Sequence, residues 1–149
     1  MMLESTQPFD ILLVEDEPAD ANLVRAALKE NKVFCNLHHV TDGVEALDFL
    51  RREGESNRTA PRPDLILLDL NMPRMNGREF LTIVKSDEAL AAIPIVVLTT
   101  SDAERDVSVA YKLGASSYIT KPVDMEQFIA AIRQIDSYWF TLTRLPRKS

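Results

Sequence analysis

Several features that would mark other classes of protein are scarce in this sequence. Cys35 is its only cysteine, so no intrachain disulfide can form, which fits a reducing compartment. No apolar run approaches the ~20 residues that a membrane-spanning helix needs. The first ten residues also lack the basic start and the apolar stretch of a signal peptide. We therefore expect a cytoplasmic protein that does not enter a membrane.

Positive charge is scarce as well. The sequence has 17 Lys and Arg residues against 23 Asp and Glu residues, a formal net charge of -6, and its one short basic run is at Arg144, Arg147 and Lys148. Since nucleic-acid-binding proteins present basic surfaces to phosphates, we expect no nucleic-acid partner. The 149 residues, 46% of them hydrophobic, are enough for one core. We expect a single domain over 1–149, with its core at about 9–140 and a tail at 141–149.

Three short runs of large aliphatic residues, at 9–14, 65–68 and 95–98, are nearly continuous rather than alternating. Such runs are typical of strands that are buried on both faces of a parallel sheet. Two weaker candidates lie at 36–40 and at 117–120, and the second of these is short enough to lie near an edge. The sequence therefore predicts five strands.

Segments with helical spacing of apolar residues alternate with these runs. They centre on 23–28, 44–50, 80–84, 107–114 and 125–139. Alternation of this kind predicts an α/β fold, a doubly wound five-stranded parallel sheet with right-handed crossovers.

Reactive side chains stand at four of the five predicted strand ends. The first strand ends in Glu15 and Asp16, the third in Asp69, the fourth in Thr99 and the fifth in Lys121. Because ligands of open α/β sheets bind at the carboxyl ends of the strands, we expect these side chains to converge.

The chemistry of this set predicts phosphoryl transfer. Carboxylates that lie close together repel one another unless a cation holds them, and oxygen ligands suit Mg²⁺. Asp69 would then attack phosphorus and form an aspartyl-phosphate. The Thr99 hydroxyl would donate a hydrogen bond to the new phosphoryl group, and the Lys121 ammonium would neutralise its charge.

Four motifs in this sequence, ILLVEDEP, LILLDLNMPRMNG, IPIVVLTTSD and SSYITKP, resemble those of the receiver domain of two-component response regulators. The resemblance runs over about 9–140. It implies a flavodoxin-like receiver fold and a protein that is not an enzyme beyond its own phosphorylation and dephosphorylation. It also implies that a sensor histidine kinase donates the phosphoryl group and that the fourth helix, fifth strand and fifth helix form the output surface. The residues to which it assigns roles are Asp69 as phosphoacceptor, Asp16, Asp69 and the backbone carbonyl of Asn71 as Mg²⁺ ligands, Thr99 and Lys121 as phosphate partners, and Thr99 and Tyr118 as switch residues.

The sequence departs from the family pattern at two positions. Glu15 replaces the more usual first Asp of the acidic pair, and we expect its metal contact to run through water. Thr100 occupies a position that is more often Ala or Gly, which bears either on the access of phosphate or on the lifetime of the phosphorylated state. The family also tends to have a cis peptide bond before the proline at Pro122, and both isomers of the Lys121–Pro122 bond stay open here.

The last part of the chain, with the motif SYWFTLTRLP, resembles single-domain regulators that are paired with bacterial and cyanobacterial phytochrome kinases. Tyr138, Trp139 and Phe140 exceed what one helix face needs for its own core, and aromatic residues are enriched at interfaces. We therefore expect a homodimer through the last helix and tail, with packing inside one chain as the alternative.

Three other functions remain to be weighed. A phosphatase of the haloacid dehalogenase type also forms an aspartyl-phosphate, but it uses a second Asp two residues after the nucleophile, where this chain has Asn71. A receiver that serves only as an interaction scaffold would not need the complete reactive set. A nucleotide-binding protein of this fold would need a glycine-rich loop after the first strand, which the sequence lacks.

His38 and His39 do not predict a metal site, because adjacent residues of a strand point to opposite faces of the sheet. We expect Cys35 to be a buried or partly buried thiol without a role in the chemistry.

Overall fold

The computed structural model describes residues 9–30, 35–70, 72, 74–99, 108–109, 111–120 and 126–127. Its elements, in chain order, are β1 (Phe9–Val14), α1 (Pro18–Glu30), β2 (Cys35–Val40), α2 (Gly43–Arg51), a 3-10 helix (Glu55–Asn57), β3 (Leu65–Asp69), α3 (Gly77–Ser86), β4 (Ile95–Thr99) and β5 (Ser117–Thr120). Residues 108–109 and 111–112 are also helical, within the predicted fourth helix, as are 126–127 within the predicted fifth.

The five strands form one parallel sheet in the order β2-β1-β3-β4-β5. The predicted α/β fold with a five-stranded parallel sheet is therefore confirmed, and each strand lies within one residue of its predicted bounds. The order places β3 at the centre, with β1 and β4 on its two sides. Residues at the carboxyl end of β3 are therefore flanked by two other strand ends.

Successive residues of the central strands pack on opposite faces of the sheet. On one face, Ile11 and Leu13 of β1 pack with Leu28 of α1. On the other, Leu12 and Val14 pack with side chains of α2 and α3, including Phe80, which is fully buried. Because residues 11–14 of β1 and 65–68 of β3 are buried on both faces, these stretches are continuously aliphatic and do not alternate.

The helices α2 and α3 begin at capped positions. Asp42 caps α2 by accepting a hydrogen bond from the backbone N–H of Glu45. Asn76 and Glu79 form a capping box at the start of α3, each side chain accepting from the other's backbone N–H. These caps fix where the two helices begin relative to the carboxyl edge of the sheet. In the described part of the chain, no helix has the length and apolar character needed to cross a membrane.

Candidate phosphoacceptor and metal site

Three carboxylates meet at the carboxyl edge of the sheet, as the strand ends predicted. One oxygen from each of Glu15, Asp16 and Asp69 lies within 4.8 Å of the others. Glu15 is fully buried and Asp69 is nearly so, whereas Asp16 is exposed. The cluster therefore has a buried floor and one side that opens to solvent.

Backbone and side-chain hydrogen bonds hold Glu15 in this position. Its N–H donates to the carbonyl of Val40 at 3.0 Å, and its carboxylate oxygen Oε2 accepts from the N–H of Glu17 at 3.2 Å. The carbonyl oxygen of Glu15 lies 2.7 Å from Nε2 of His39. Because a carbonyl oxygen can only accept, Nε2 of His39 carries the proton. The end of β1 is thus tied to β2 both through the main chain and through a histidine.

This contact of His39 was not anticipated from the sequence; the two histidines contact different groups. His38 bonds to Asp10 at 2.9 Å and lies near the ring of Phe49, away from the carboxylates. The pairing of Leu13 with His39 in the β1–β2 register puts His39 beside the end of β1. Knowledge of the β1–β2 register would therefore have predicted the contact between His39 and Glu15.

Asp69 ends β3, and its backbone is closely packed against the start of α3. The N–H of Gly77 donates to the carbonyl of Leu70 at 3.0 Å. A β-carbon added to Gly77 would lie 2.6 Å from the carbonyl oxygen of Asp69. Only a residue without a side chain allows the helix to start this close to the strand end.

The candidate switch residues lie on the other side of β3. Thr99 ends β4, one residue beyond the partner of Asp69 in the β3–β4 register, and only its backbone is described. Tyr118 is half-buried on β5 and packs in a small cluster with Leu70 and Val97. Its ring meets that of Tyr111 edge to face, with centroids 6.1 Å apart. Tyr118 thus packs against the cluster that includes Leu70, the residue that follows Asp69 in sequence.

Some predicted features lie outside the described residues. They are the Asn71 carbonyl, Thr100, Lys121 and its bond to Pro122, and the C-terminal aromatic residues Tyr138, Trp139 and Phe140. Their predicted roles stay predictions.

The cluster of three carboxylates fits a divalent cation. Ionised carboxylates so close together repel one another, and a cation between them offsets the repulsion. Hard oxygen donors of this kind are the ligands that Mg²⁺ and Mn²⁺ use in proteins. Because the cluster is partly buried, the effective dielectric constant there is lower than at an exposed site, and the attraction between a cation and the carboxylates is stronger.

Comparisons with known proteins agree with this geometry. The family described as the response regulator receiver domain matches residues 11–133. The response regulator Rcp1 of Synechocystis sp. is 43% identical over 143 residues, which are 96% of this chain and 97% of that protein. The structure of the phosphorylated cyanobacterial phytochrome response regulator RcpA is 44% identical, with a TM-score of 0.75, and the match covers 91% of this chain and 96% of that one.

A structure of the Mn²⁺-bound form of Rcp1 is 42% identical, with a TM-score of 0.73, and covers 89% of this chain and 95% of that one. The fold, the carboxylate cluster at the carboxyl edge and the extent of these matches lead to one assignment. This chain belongs to the response regulator receiver domain family.

Proposed function

We propose that Asp69 accepts a phosphoryl group from a partner histidine kinase while Mg²⁺ is bound beside it. The observation that carries the proposal is the approach of the Glu15, Asp16 and Asp69 carboxylates to within 4.8 Å at the carboxyl edge. Asp69 is the one of the three that stands on the central strand, between the ends of β1 and β4. A phosphoryl donor that approaches this edge therefore meets Asp69 between the proposed metal ligands and Thr99.

In the transfer, a carboxylate oxygen of Asp69 forms a bond to phosphorus. The bond from phosphorus to the donor's histidine nitrogen breaks, and that nitrogen keeps the electron pair. Bound Mg²⁺ would offset the negative charge that builds up on the phosphoryl oxygens. Asp16, Asp69 and the Asn71 carbonyl are the proposed ligands, and Glu15 would act through water. The chain would catalyse only its own phosphorylation and dephosphorylation.

Phosphorylation would also change the surface that the protein presents. A phosphoryl group adds nearly two negative charges and three strong acceptors, which would draw the Thr99 hydroxyl and the Lys121 ammonium towards it. The packing of Tyr118 against the cluster of Leu70 and Val97 supports a role for its ring in reporting this change, since Leu70 directly follows Asp69. The output surface would then comprise the fourth helix, β5 and the fifth helix.

The names of the similar proteins support a narrower assignment. RcpA is described as a cyanobacterial phytochrome response regulator, and a bacteriophytochrome response regulator is 44% identical with a TM-score of 0.78. We therefore propose that the kinase is of the phytochrome type and that the chain acts in the cytoplasm as one receiver domain over 1–149. We also propose a homodimer through the C-terminal helix and tail.

The test of the acceptor is the intact mass of the protein after incubation with acetyl phosphate and Mg²⁺. We expect a gain of one phosphoryl group in the wild type, and none in Asp69→Asn or when EDTA is present. Asp64→Asn is the matched control, because Asp64 precedes the opposite end of β3, where its Oδ2 accepts from the N–H of Asp10. An Asn oxygen can accept the same bond, so we expect this variant to gain the group normally.

Other outcomes would redirect the assignment. No gain in the wild type would favour a receiver that acts only as a scaffold, and a gain in Asp69→Asn would mean that another residue is the acceptor. Turnover of a small phosphate ester would favour a phosphatase.

Two further measurements address the partners. Phosphotransfer from a phytochrome-type kinase should be faster than from an unrelated histidine kinase, and equal rates would contradict the assignment of the partner. Sedimentation that shows only monomer at high concentration, both with and without phosphorylation, would contradict the homodimer.

A further inference from the structure

The loop that follows Asp69 is fastened to the start of α2 by an ion pair. Nε of Arg74 lies 2.7 Å from Oδ2 of Asp42, and Nη2 lies 3.1 Å from Oδ1, so the guanidinium meets both carboxylate oxygens. Two parallel hydrogen bonds of this kind fix orientation as well as distance. The Asp42 side chain is 7% exposed and that of Arg74 is 56% exposed. The pair therefore joins a fixed carboxylate at the start of α2 to an arginine on the loop.

Asp42 is held in place independently of Arg74. Its Oδ1 accepts from the N–H of Glu45 at 2.9 Å and so caps α2. Burial raises the pKa of Asp42. The hydrogen bond and charge of Arg74, together with the backbone N–H groups of Glu45 and Val44, lower it by more, so the pKa is below its ordinary value. Asp42 is therefore ionised at neutral pH.

A second contact joins the same loop to α2. The N–H of Gly43 donates to the carbonyl of Met75 at 3.2 Å. A β-carbon on Gly43 would lie 2.8 Å from the β-carbon of Met75, so the two backbones are in close approach. Arg74 itself has φ of 61°, in the left-handed region that a non-glycine residue rarely adopts. The loop thus has an unfavourable backbone conformation at the residue whose side chain makes the ion pair, which is the pattern expected where a position is functionally constrained.

Few residues separate these two contacts from Asp69 along the chain. Asp69 lies five residues before Arg74, the proposed metal ligand Asn71 lies between them, and the loop ends at Gly77, whose N–H bonds to Leu70. A change in the position of Arg74 would therefore be passed along few rotatable bonds to the backbone that carries the metal ligands.

We propose that Asp42 and Arg74 are positioning residues, whose ion pair holds the loop after Asp69 in the conformation that binds the divalent cation. This inference rests on the proposed function of the carboxylate cluster as a metal site. Removing a group that hydrogen-bonds directly to a metal ligand typically changes the metal affinity about 10- to 100-fold. The ion pair is further from the carboxylates than such a group, so we expect the lower end of that range. The ion pair acts through the loop backbone and does not touch the ion.

The variant that tests the proposal is Arg74→Gly. Glycine accepts the left-handed backbone at this position without strain, so the substitution removes the guanidinium and favours the same local conformation. Arg52→Gly is the matched control, because Arg52 also has a left-handed φ, of 56°, but lies at the other end of α2 and bonds to the carbonyl of Ala60. Each variant removes one arginine and relieves the backbone strain of one left-handed residue.

The measurement is a calorimetric titration with Mn²⁺, together with urea unfolding in the absence of metal. We expect Arg74→Gly to weaken Mn²⁺ binding about 10-fold and Arg52→Gly to bind as the wild type does. Loss of the ion pair should also lower the urea midpoint of Arg74→Gly, but the variant should be fully folded without urea, where Mn²⁺ binding is measured. In Arg74→Gly, the rate of phosphorylation by acetyl phosphate should recover when Mg²⁺ is raised to saturation. A role in stability alone would move the urea midpoint without this dependence on Mg²⁺.

A second variant covers the partner residue. Asp42→Asn keeps an oxygen that caps α2 but loses the charge that orients Arg74, so it should weaken Mn²⁺ binding in the same direction. Wild-type affinity in both Arg74→Gly and Asp42→Asn would overturn the positioning role and leave the metal site itself intact. Absence of Mn²⁺ binding in the wild type would overturn the proposed function, and the inference with it.

Discussion

The close approach of α3 to the end of β3 makes Gly77→Ala the most informative single substitution. The added methyl group would lie 2.6 Å from the carbonyl oxygen of Asp69 and from the α-carbon of Leu70. Ordinary contacts of a β-carbon begin at 3.4 Å, so the strand end and the helix start must separate by about 0.8 Å. Both neighbours are backbone atoms, which cannot rotate away as a side chain does. The loop between Asp69 and Gly77 must therefore change its shape.

Two opposing effects decide the change in stability. In a helix, Ala is favoured over Gly by about 0.5–1 kcal/mol, which would stabilise the variant. Overpacking costs about 1–3 kcal/mol, and the upper part of that range applies when backbone atoms are compressed. The clash should therefore prevail, and we expect the free energy of unfolding to fall by about 1–2 kcal/mol. Because the displaced backbone carries Asp69, the affinity for Mn²⁺ should fall as well.

Urea unfolding followed by circular dichroism measures the free energy of unfolding, and calorimetric titration with Mn²⁺ measures the metal affinity. Gly54→Ala is the control, because its added β-carbon would meet nothing within 4 Å while φ of 89° makes the substitution unfavourable. That backbone strain costs about 1–3 kcal/mol, similar to the loss expected at Gly77 but remote from the carboxylates. Equal Mn²⁺ affinities in the two variants, or a Gly77→Ala protein more stable than the wild type, would refute the reasoning.

Three other groups give predictions that unfolding and reactivity assays can check. Because the folded pKa of Asp42 lies below its ordinary value, its contribution to stability should be present above about pH 4 and be lost as the pH falls through the folded pKa. The difference in urea midpoint between wild type and Asp42→Asn should shrink accordingly. Asn76→Ala removes one half of the α3 capping box and should lower the unfolding free energy by about 1 kcal/mol in the same urea assay. Burial, with a smaller effect of Asp10, raises the pKa of Cys35 to about 11, so a thiol reagent at pH 8 should react slowly until urea unfolds the protein; rapid reaction would contradict this.

The sheet could be predicted from the sequence because its strands carry an unambiguous pattern. The stretches 11–14 of β1 and 65–68 of β3 are buried on both faces, so their residues are continuously aliphatic, and no helical spacing competes with that pattern. β2 was harder, since its residues are partly exposed and two of them are histidines, yet its bounds also differ by only one residue. The convergence of Glu15, Asp16 and Asp69 could then be predicted, because the carboxyl ends of parallel strands meet at one edge of the sheet.

The supports of the site could not be predicted in the same way. Asp42 lies directly before the predicted helical segment at 44–50, but its partner Arg74 lies 32 residues further along the chain. That contact depends on the path of the loop after Asp69, and loop conformation has no periodic signal in sequence. The bond from His39 to Glu15 likewise depends on the register of β1 and β2, which is fixed by the packed sheet.

The described supports of the carboxylates come from β2, α2 and α3. His39 and Val40 hold Glu15 through backbone hydrogen bonds, while Arg74 and Gly77 fix the loop after Asp69. Such bonds are made before any metal or phosphoryl group arrives, so the carboxylates need not be gathered at the moment of binding, and the free-energy cost of ordering them falls on folding. Tyr118 lies on β5, on the other side of β3, where it packs against the cluster of Leu70 and Val97 and meets the ring of Tyr111 edge to face. Under the proposed function, these hydrogen bonds would keep the carboxylates in place when Asp69 is phosphorylated, and the change would fall on the side of β3 where Thr99 and Tyr118 lie.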